Sequence, residues 1–260
     1  MPLWEAALLG LVQGATEFLP VSSSGHLVIA LTLLGGNPKG LLFEIAVHVG
    51  TLLAILVFYR AKVLELIRGV LGQDAGAFRY VGKLALATLP AVGVGLFFRD
   101  TVEEIFDAPW TAGVGLLITG TFLATTRFTQ AGARALEPGW AQAFWIGCAQ
   151  ALAIGPGVSR SGTTLAVALA FGVAPLAAAE FSFLLGIIAI TGAAVLMLPD
   201  AIGAPADALQ ALWVGGAVAA VSGLAALAFL VALLRARRFH WFAGYTWAVG
   251  LAFLAWLAVR

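Results

Sequence analysis

Six stretches of the chain are apolar enough to cross a membrane, at roughly 41–59, 84–98, 110–126, 177–198, 211–234 and 241–258. A helical span needs about 20 apolar residues, so 84–98 and 110–126 are short for the task. None of the six shows the alternation of a lipid-facing strand, so a β-barrel is not expected. Two further apolar regions, 3–34 and 140–174, are interrupted by Pro20 and by Pro156 between two glycines. Proline removes a backbone donor and ends a helix. Broken backbone at membrane depth persists only where protein buries it or where it lines a wet cavity. Each region is therefore predicted to be a re-entrant helix–turn–helix. The fold class is all-α polytopic membrane protein, with about six spanning helices plus two re-entrant segments.

The two interrupted regions say one thing twice. Residues 10–27 read GLVQGATEFLPVSSSGHL and 147–164 read GCAQALAIGPGVSRSGTT. At an offset of 137, Gln13 meets Gln150, Ser22 meets Ser159, Ser24 meets Ser161 and Gly25 meets Gly162. Weaker echoes follow in order: EIAVHVG at 44–50 with EFSFLLG at 180–186, and AGVGLLITG at 112–120 with AGYTWAVG at 243–250. Two related halves, about 1–130 and 131–260, are expected to form one membrane domain, because neither alone covers its polar turn. Polar turns meeting at a repeat interface are where such proteins build binding sites.

Loop charge orients the repeat. Segment 60–83 carries Arg60, Lys62, Arg68, Arg79 and Lys83; 127–138 carries Arg127 and Arg134; 235–240 carries Arg235, Arg237 and Arg238. Segment 99–109 sets Arg99 against Asp100, Glu103, Glu104 and Asp107, and 199–210 holds Asp200 and Asp207 with no basic residue. Basic loops stay in the cytoplasm. The first re-entrant region then enters from outside and the second from inside, giving an inverted-topology repeat with both chain ends outside. No cleavable leader is expected, since Glu5, Gln13 and Glu17 interrupt the first stretch, which lacks a basic start.

Composition agrees. The chain is 62% hydrophobic and 10% charged, with mean hydropathy +1.01, where a soluble domain carries about 25% charged residues. A net charge of +1 implies no nucleic-acid partner. The lone cysteine, Cys148, forms no intrachain disulfide. The 31 glycines suit close helix packing and permit a homodimer.

Against this background a few residues carry chemistry. Gln13 and Glu17 share one helix face just before Pro20, and an ionisable group at membrane depth is a functional hypothesis by default. Ser22-Ser23-Ser24-Gly25-His26 follows. A serine becomes a nucleophile when a base takes its proton, and His26 is the nearby candidate. The simpler alternative is that one of the three serines caps the next helix. The second turn, 155–164, offers Ser159, Arg160, Ser161, Gly162, Thr163 and Thr164. Arginine binds phosphate bidentately and a helix N-terminus adds N–H donors. Arg160 needs an anion, either a phosphate or Glu17 or Glu180. Glu44 and Glu180 are expected to brace the turns, and His48 to make packing or local hydrogen bonds. Trp110, Trp213, Trp241 and Trp256 are placed as interfacial anchors.

The segments QGATEFLPVSSSGH at 13–26 and GPGVSRSGTT at 155–164 resemble the two signature motifs of the bacterial undecaprenyl pyrophosphate phosphatases of the bacitracin-resistance type. The resemblance spans nearly the whole chain. It implies an inner-membrane enzyme opening to the periplasmic face, which removes the terminal phosphate of undecaprenyl pyrophosphate and recycles the lipid carrier for the cell wall. By the same resemblance Glu17, Ser23, His26 and Arg160 are the catalytic positions. Ser22, Ser159, Ser161, Gly162 and Thr164 join Arg160 around the phosphates. A divalent cation, Mg²⁺ or Ca²⁺, is expected at Glu17 and Gln13; the family accepts Glu or Gln at this last position. Partners are the polyprenyl pyrophosphate and membrane lipid. Three mechanisms stay open here: attack by Ser23, by His26, or by water. The competing class is a transporter that flips a lipid phosphate through the same site.

Overall fold

The computed structural model describes residues 1–33, 41–201 and 206–259. Residue 34 of the first re-entrant region and the centre of the 199–210 loop lie outside the described residues. The described chain is helical: α1 (Leu3–Phe18), α2 (Ser23–Leu33), α3 (Leu41–Phe58), α4 (Arg60–Leu71), α5 (Ala75–Phe97), α6 (Arg99–Asp107), α7 (Trp110–Thr129), α8 (Trp140–Leu152), α9 (Arg160–Ala170), α10 (Pro175–Ala201), α11 (Ala206–Arg235) and α12 (Phe242–Ala258). Helices cover all six expected spans, as α3, α5, α7, α10, α11 and α12. Of these, α5, α10, α11 and α12 are each long and apolar enough to cross a membrane, and α3 and α7 are so only together with α4 and α6, from which they bend sharply. The re-entrant pairs are α1–α2 and α8–α9.

The basic segment 60–83 is more ordered than a loop. It contains α4, which bends 77° from α3, and the first turns of α5. Asp74 caps α5 by accepting from the Ala77 N–H at 2.7 Å, and this cap starts the span nine residues before the expected position.

Contacts between loops test the expected inversion. Lys83 pairs with Glu137 at 3.0 Å, and Gln130 Nε2 donates to the Leu234 carbonyl at 3.5 Å. All three basic segments therefore share one face. Gln142 at the start of α8 donates to Phe171 O just past α9 at 3.2 Å. Trp140 also packs on Gly82 of α5, so α8 enters from the basic face and α9 returns to it.

The first pair does the reverse. α1 runs beside α11 in the same direction, with Gly10 against Gly215, Gly14 against Ala219 and Phe18 against Gly223. α11 ends at the basic face, so α1 enters from the opposite one. Close approach at small residues replaces a hydrophobic driving force in lipid. The repeat keeps this device: Gly10 abuts the backbone of Gly215, and its counterpart Gly147 abuts the backbone of Ala87 on α5. Each re-entrant helix thus leans on a span of the other half.

Candidate active site

Two helix breaks build the site. After α1, Leu19-Pro20-Val21 turns the chain and Ser22 takes a left-handed φ of 68°. After α8, Gly157 takes φ 85°. A left-handed conformation is free for glycine and costs about 1 kcal/mol or more for serine, so Ser22 is held by its surroundings.

From there the turns are wired alike. Ser22 Oγ accepts from the Gly25 N–H at 3.3 Å, and Ser159 Oγ from the Gly162 N–H at 3.1 Å. The two serines cap α2 and α9, which is the simpler role allowed for the serine run. Ser22 Oγ lies 3.2 Å from Ser24 Oγ, and Ser159 Oγ lies 3.3 Å from Ser161 Oγ. His26 Nδ1 bonds the Ser22 carbonyl at 2.8 Å, and Thr163 Oγ1 donates to the Ser159 carbonyl at 2.9 Å.

The turns also meet reciprocally. A Cβ on Gly25 would lie 2.8 Å from Gly157 Cα, and one on Gly162 would lie 3.2 Å from Pro20 Cβ. Pro20 is the repeat counterpart of Gly157, so these two contacts are images of each other about a pseudo-two-fold axis. Thr119 of α7 pins the second turn, donating to Gly157 O and accepting from the Ser159 N–H, both at 2.8 Å. The N-termini of α2 and α9 converge here, and with them two positive dipole ends.

Glu17 sits buried where they converge. Its Oε1 is ion-paired to Arg160 Nη2. Its Oε2 accepts from Ser23 Oγ at 2.6 Å and from Gln13 Nε2 at 3.1 Å. The structure thus gathers Gln13, Glu17, Ser23 and Arg160 into one cluster. Arg160 Nη1 is buried and has no partner. An orphan donor costs about 1–3 kcal/mol, more on a charged group, and an arriving anion would satisfy it.

His26 stands differently from expectation. Its Nε2 lies 2.8 Å from the hydroxyl of Tyr245 on α12, and the two rings stack 4° from parallel. The proton of Ser23 points at Glu17, not at His26.

The chain that carries this cluster matches known proteins over nearly its whole length. The profile of the family described as "Bacitracin resistance protein BacA" matches residues 6–252. The chain belongs to this family. Similar relatives match nearly all of it. A protein from Desulfatibacillum aliphaticivorans is 41% identical over 96% of this chain and 97% of its own. One from Carboxydothermus hydrogenoformans is 39% identical, covering 98% and 97%. One from Trichlorobacter lovleyi is 39% identical, covering 100% and 98%. Each of these relatives is named undecaprenyl-diphosphatase.

Within this family member, several expected site residues turn out to shape the turns. Thr164 Oγ1 donates to Arg160 O at 2.7 Å and lies 2.5 Å from Ser182 Oγ. Gly162 gives its N–H to the Ser159 cap. Ser161 reaches the Glu17 carbonyl at 3.4 Å. Glu180 does not brace a turn. It faces Lys62 at 3.8 Å and Tyr80 at 3.4 Å, because α10 carries it toward α4 and α5. His48 makes a local bond, Nδ1 to Glu44 O at 2.7 Å.

Sequence reasoning missed Tyr245, Ser182, Thr119 and the purpose of Gly186. A Cβ on Gly186 would run into the Arg160 guanidinium. The aligned Gly50 hinted at that position, whereas nothing local marked Tyr245.

The cation implied by the resemblance can be tested against the donors present. Gln13 turns its Nε2 to Glu17 and leaves its Oε1 buried without a partner, and the Glu17 carboxylate already serves Arg160 and Ser23. Among the described residues, no group of three or more His, Cys, Asp or Glu could hold a metal. These donors do not make an all-protein cage, and a cation there would need the phosphates of a substrate to complete its shell.

Proposed function

We propose that this protein is an undecaprenyl pyrophosphate phosphatase, which releases the terminal phosphate of the lipid to leave undecaprenyl phosphate. The observation that carries the reading is the buried Ser23–Glu17–Arg160 cluster in a chain of a family whose relatives are named for this hydrolysis.

The chemistry follows from the contacts. Pyrophosphate enters where α2 and α9 converge, and Arg160 leaves Glu17 Oε1 to clamp it with both guanidinium nitrogens. That exchange frees the Glu17 carboxylate beside the Ser23 hydroxyl. Ser23 Oγ attacks the terminal phosphorus in line while Glu17 takes the hydroxyl proton. The bond from phosphorus to the bridging oxygen breaks, and undecaprenyl phosphate departs. Water then attacks the phosphoserine and gives its proton to a base; the bond from phosphorus to Ser23 Oγ breaks, that oxygen takes back the proton held by Glu17, and inorganic phosphate leaves. His26 serves the leaving oxygen or the water. Ser161 and Ser24, whose contacts to Ser159 and Ser22 are long, turn toward the phosphates; Ser22, Ser159, Gly162 and Thr164 act by holding the turns in shape. A divalent cation, when bound at Gln13 Oε1 and Glu17, supplies charge neutralisation at the phosphates.

The shared basic face supports a cytoplasmic side, with the site reached from the periplasmic side and both chain ends there. The interleaved packing of the halves supports one domain in the bacterial inner membrane, where recycling the carrier serves cell-wall synthesis and resists bacitracin. Gly-rich spans leave room for a homodimer.

The test is phosphate release from undecaprenyl pyrophosphate by purified protein in detergent. Turnover that disappears in Arg160→Ala is expected. No release by the wild-type protein, or near-normal release by Arg160→Ala, overturns the reading.

A further inference from the structure

We infer that Tyr245 is a positioning residue for His26, which it holds through the reactive nitrogen. This rests on the hydrolytic reading above. The Ser22 carbonyl can only accept, so His26 Nδ1, 2.8 Å away, carries a proton. In the neutral ring Nε2 is then the basic atom, and the Tyr245 hydroxyl 2.8 Å away donates to it. The rings lie 4° from parallel with centroids 5.7 Å apart, so Tyr245 fixes both the plane of the imidazole and the direction of its lone pair.

The arrangement is built from both ends of the chain. His26 belongs to the first turn of α2, and Tyr245 lies 219 residues later on α12. At the matching place in the other half, Thr163 makes the carbonyl bond that His26 Nδ1 makes. A threonine has no second polar atom to hold. The Tyr245 contact therefore belongs only to the half that carries the imidazole.

A hydroxyl suits the task because it donates and accepts. It donates to Nε2 in the resting ring. When the ring gains a proton at Nε2, the hydroxyl rotates and accepts from it. His26 so keeps a partner through a proton cycle without turning its ring. Phenylalanine would keep the stack and lose the bond.

The experiment uses full-length protein in detergent, with ¹⁵N-labelled histidine. The chain has three histidines, so His48→Gln and His240→Gln samples assign the His26 signals. In wild type, His26 should show a protonated Nδ1 and a hydrogen-bonded, unprotonated Nε2. In Tyr245→Phe the Nε2 signal should shift to that of a free lone pair. Its kcat should fall about 10-fold, part of the 10²–10⁴-fold that a positioned acid–base contributes, with KM within about twofold. An unchanged Nε2 signal overturns the bond, and an unchanged kcat overturns its role. If the wild type releases no phosphate, the hydrolytic reading fails, while the Nε2 signal still reports on the bond.

Discussion

Gly186→Ala is a change on α10 that should act as though it removed Arg160. The new methyl would occupy the space now taken by the Arg160 guanidinium, which lies against the Gly186 backbone. Two outcomes compete: the helices part, or the arginine moves. Overpacking a rigid core costs about 1–3 kcal/mol, but the obstacle here is the free end of a long side chain. The arginine therefore moves, and the fold keeps most of its stability. A loss of about 1 kcal/mol would lower Tm by about 2–4 °C in a chain of this size. The price falls on Arg160, which is driven from Glu17 Oε1 and from the proposed phosphate position. A misplacement of about 1 Å costs roughly 10²-fold in rate, equal to about 2.7 kcal/mol of transition-state stabilisation. The assay is phosphate release in detergent beside a thermal melt of the same sample. The expected pattern is kcat/KM down about 10²-fold with a small Tm shift. Turnover within about twofold of wild type would refute the claim that Gly186 exists to seat the guanidinium.

Other changes probe the remaining parts. Ser23→Ala should lower kcat by about 10³-fold or more, because the proposed nucleophile is lost, with a small effect on melting. Ser159→Ala removes an N-cap and should cost about 1 kcal/mol, read as a lower Tm. Gln13→Glu adds a charge beside the orphan amide position and should raise the apparent affinity for Mg²⁺, seen in a titration after chelation; unchanged affinity would speak against a cation there. A cysteine introduced at Gln73, in a variant lacking Cys148, should be labelled only from the cytoplasmic side. Labelling from outside would invert the topology proposed.

The architecture was legible because its signals are long-range in kind and local in form. Pro20, and Pro156 between its glycines, marked both breaks. The doubled serine-glycine pattern marked both caps, and loop arginines marked a common face that Lys83–Glu137 and Gln130–Leu234 then joined. Partner choice at the site was less legible. His26 is three residues from Ser23 and looked like its base. The fold-back of α2 on α1 instead carries Ser23 to Glu17, six residues earlier. Glu180 and Glu17 looked like alternative counter-ions for Arg160, and only packing decided, by sending Glu180 to Lys62 and Tyr80. Tyr245 lies in a stretch rich in small residues with no motif of its own. Its role depends on how α12 packs, which no local pattern encodes.

The reciprocal contact of Gly25 with Gly157 and Gly162 with Pro20 has an evolutionary consequence. A pocket on a two-fold axis is shared by both copies, so whatever one copy contributes the other contributes too. A gene encoding the first half alone, paired with itself, would bring two carboxylates to the axis and no arginine. The second half paired with itself would bring two guanidiniums and no carboxylate. Either dimer sets like charges against each other at membrane depth, where repulsion is least screened. One Glu17–Arg160 pair fits there only if the copies differ. In a single chain each copy can differ from the other, and the ion pair forms across the axis.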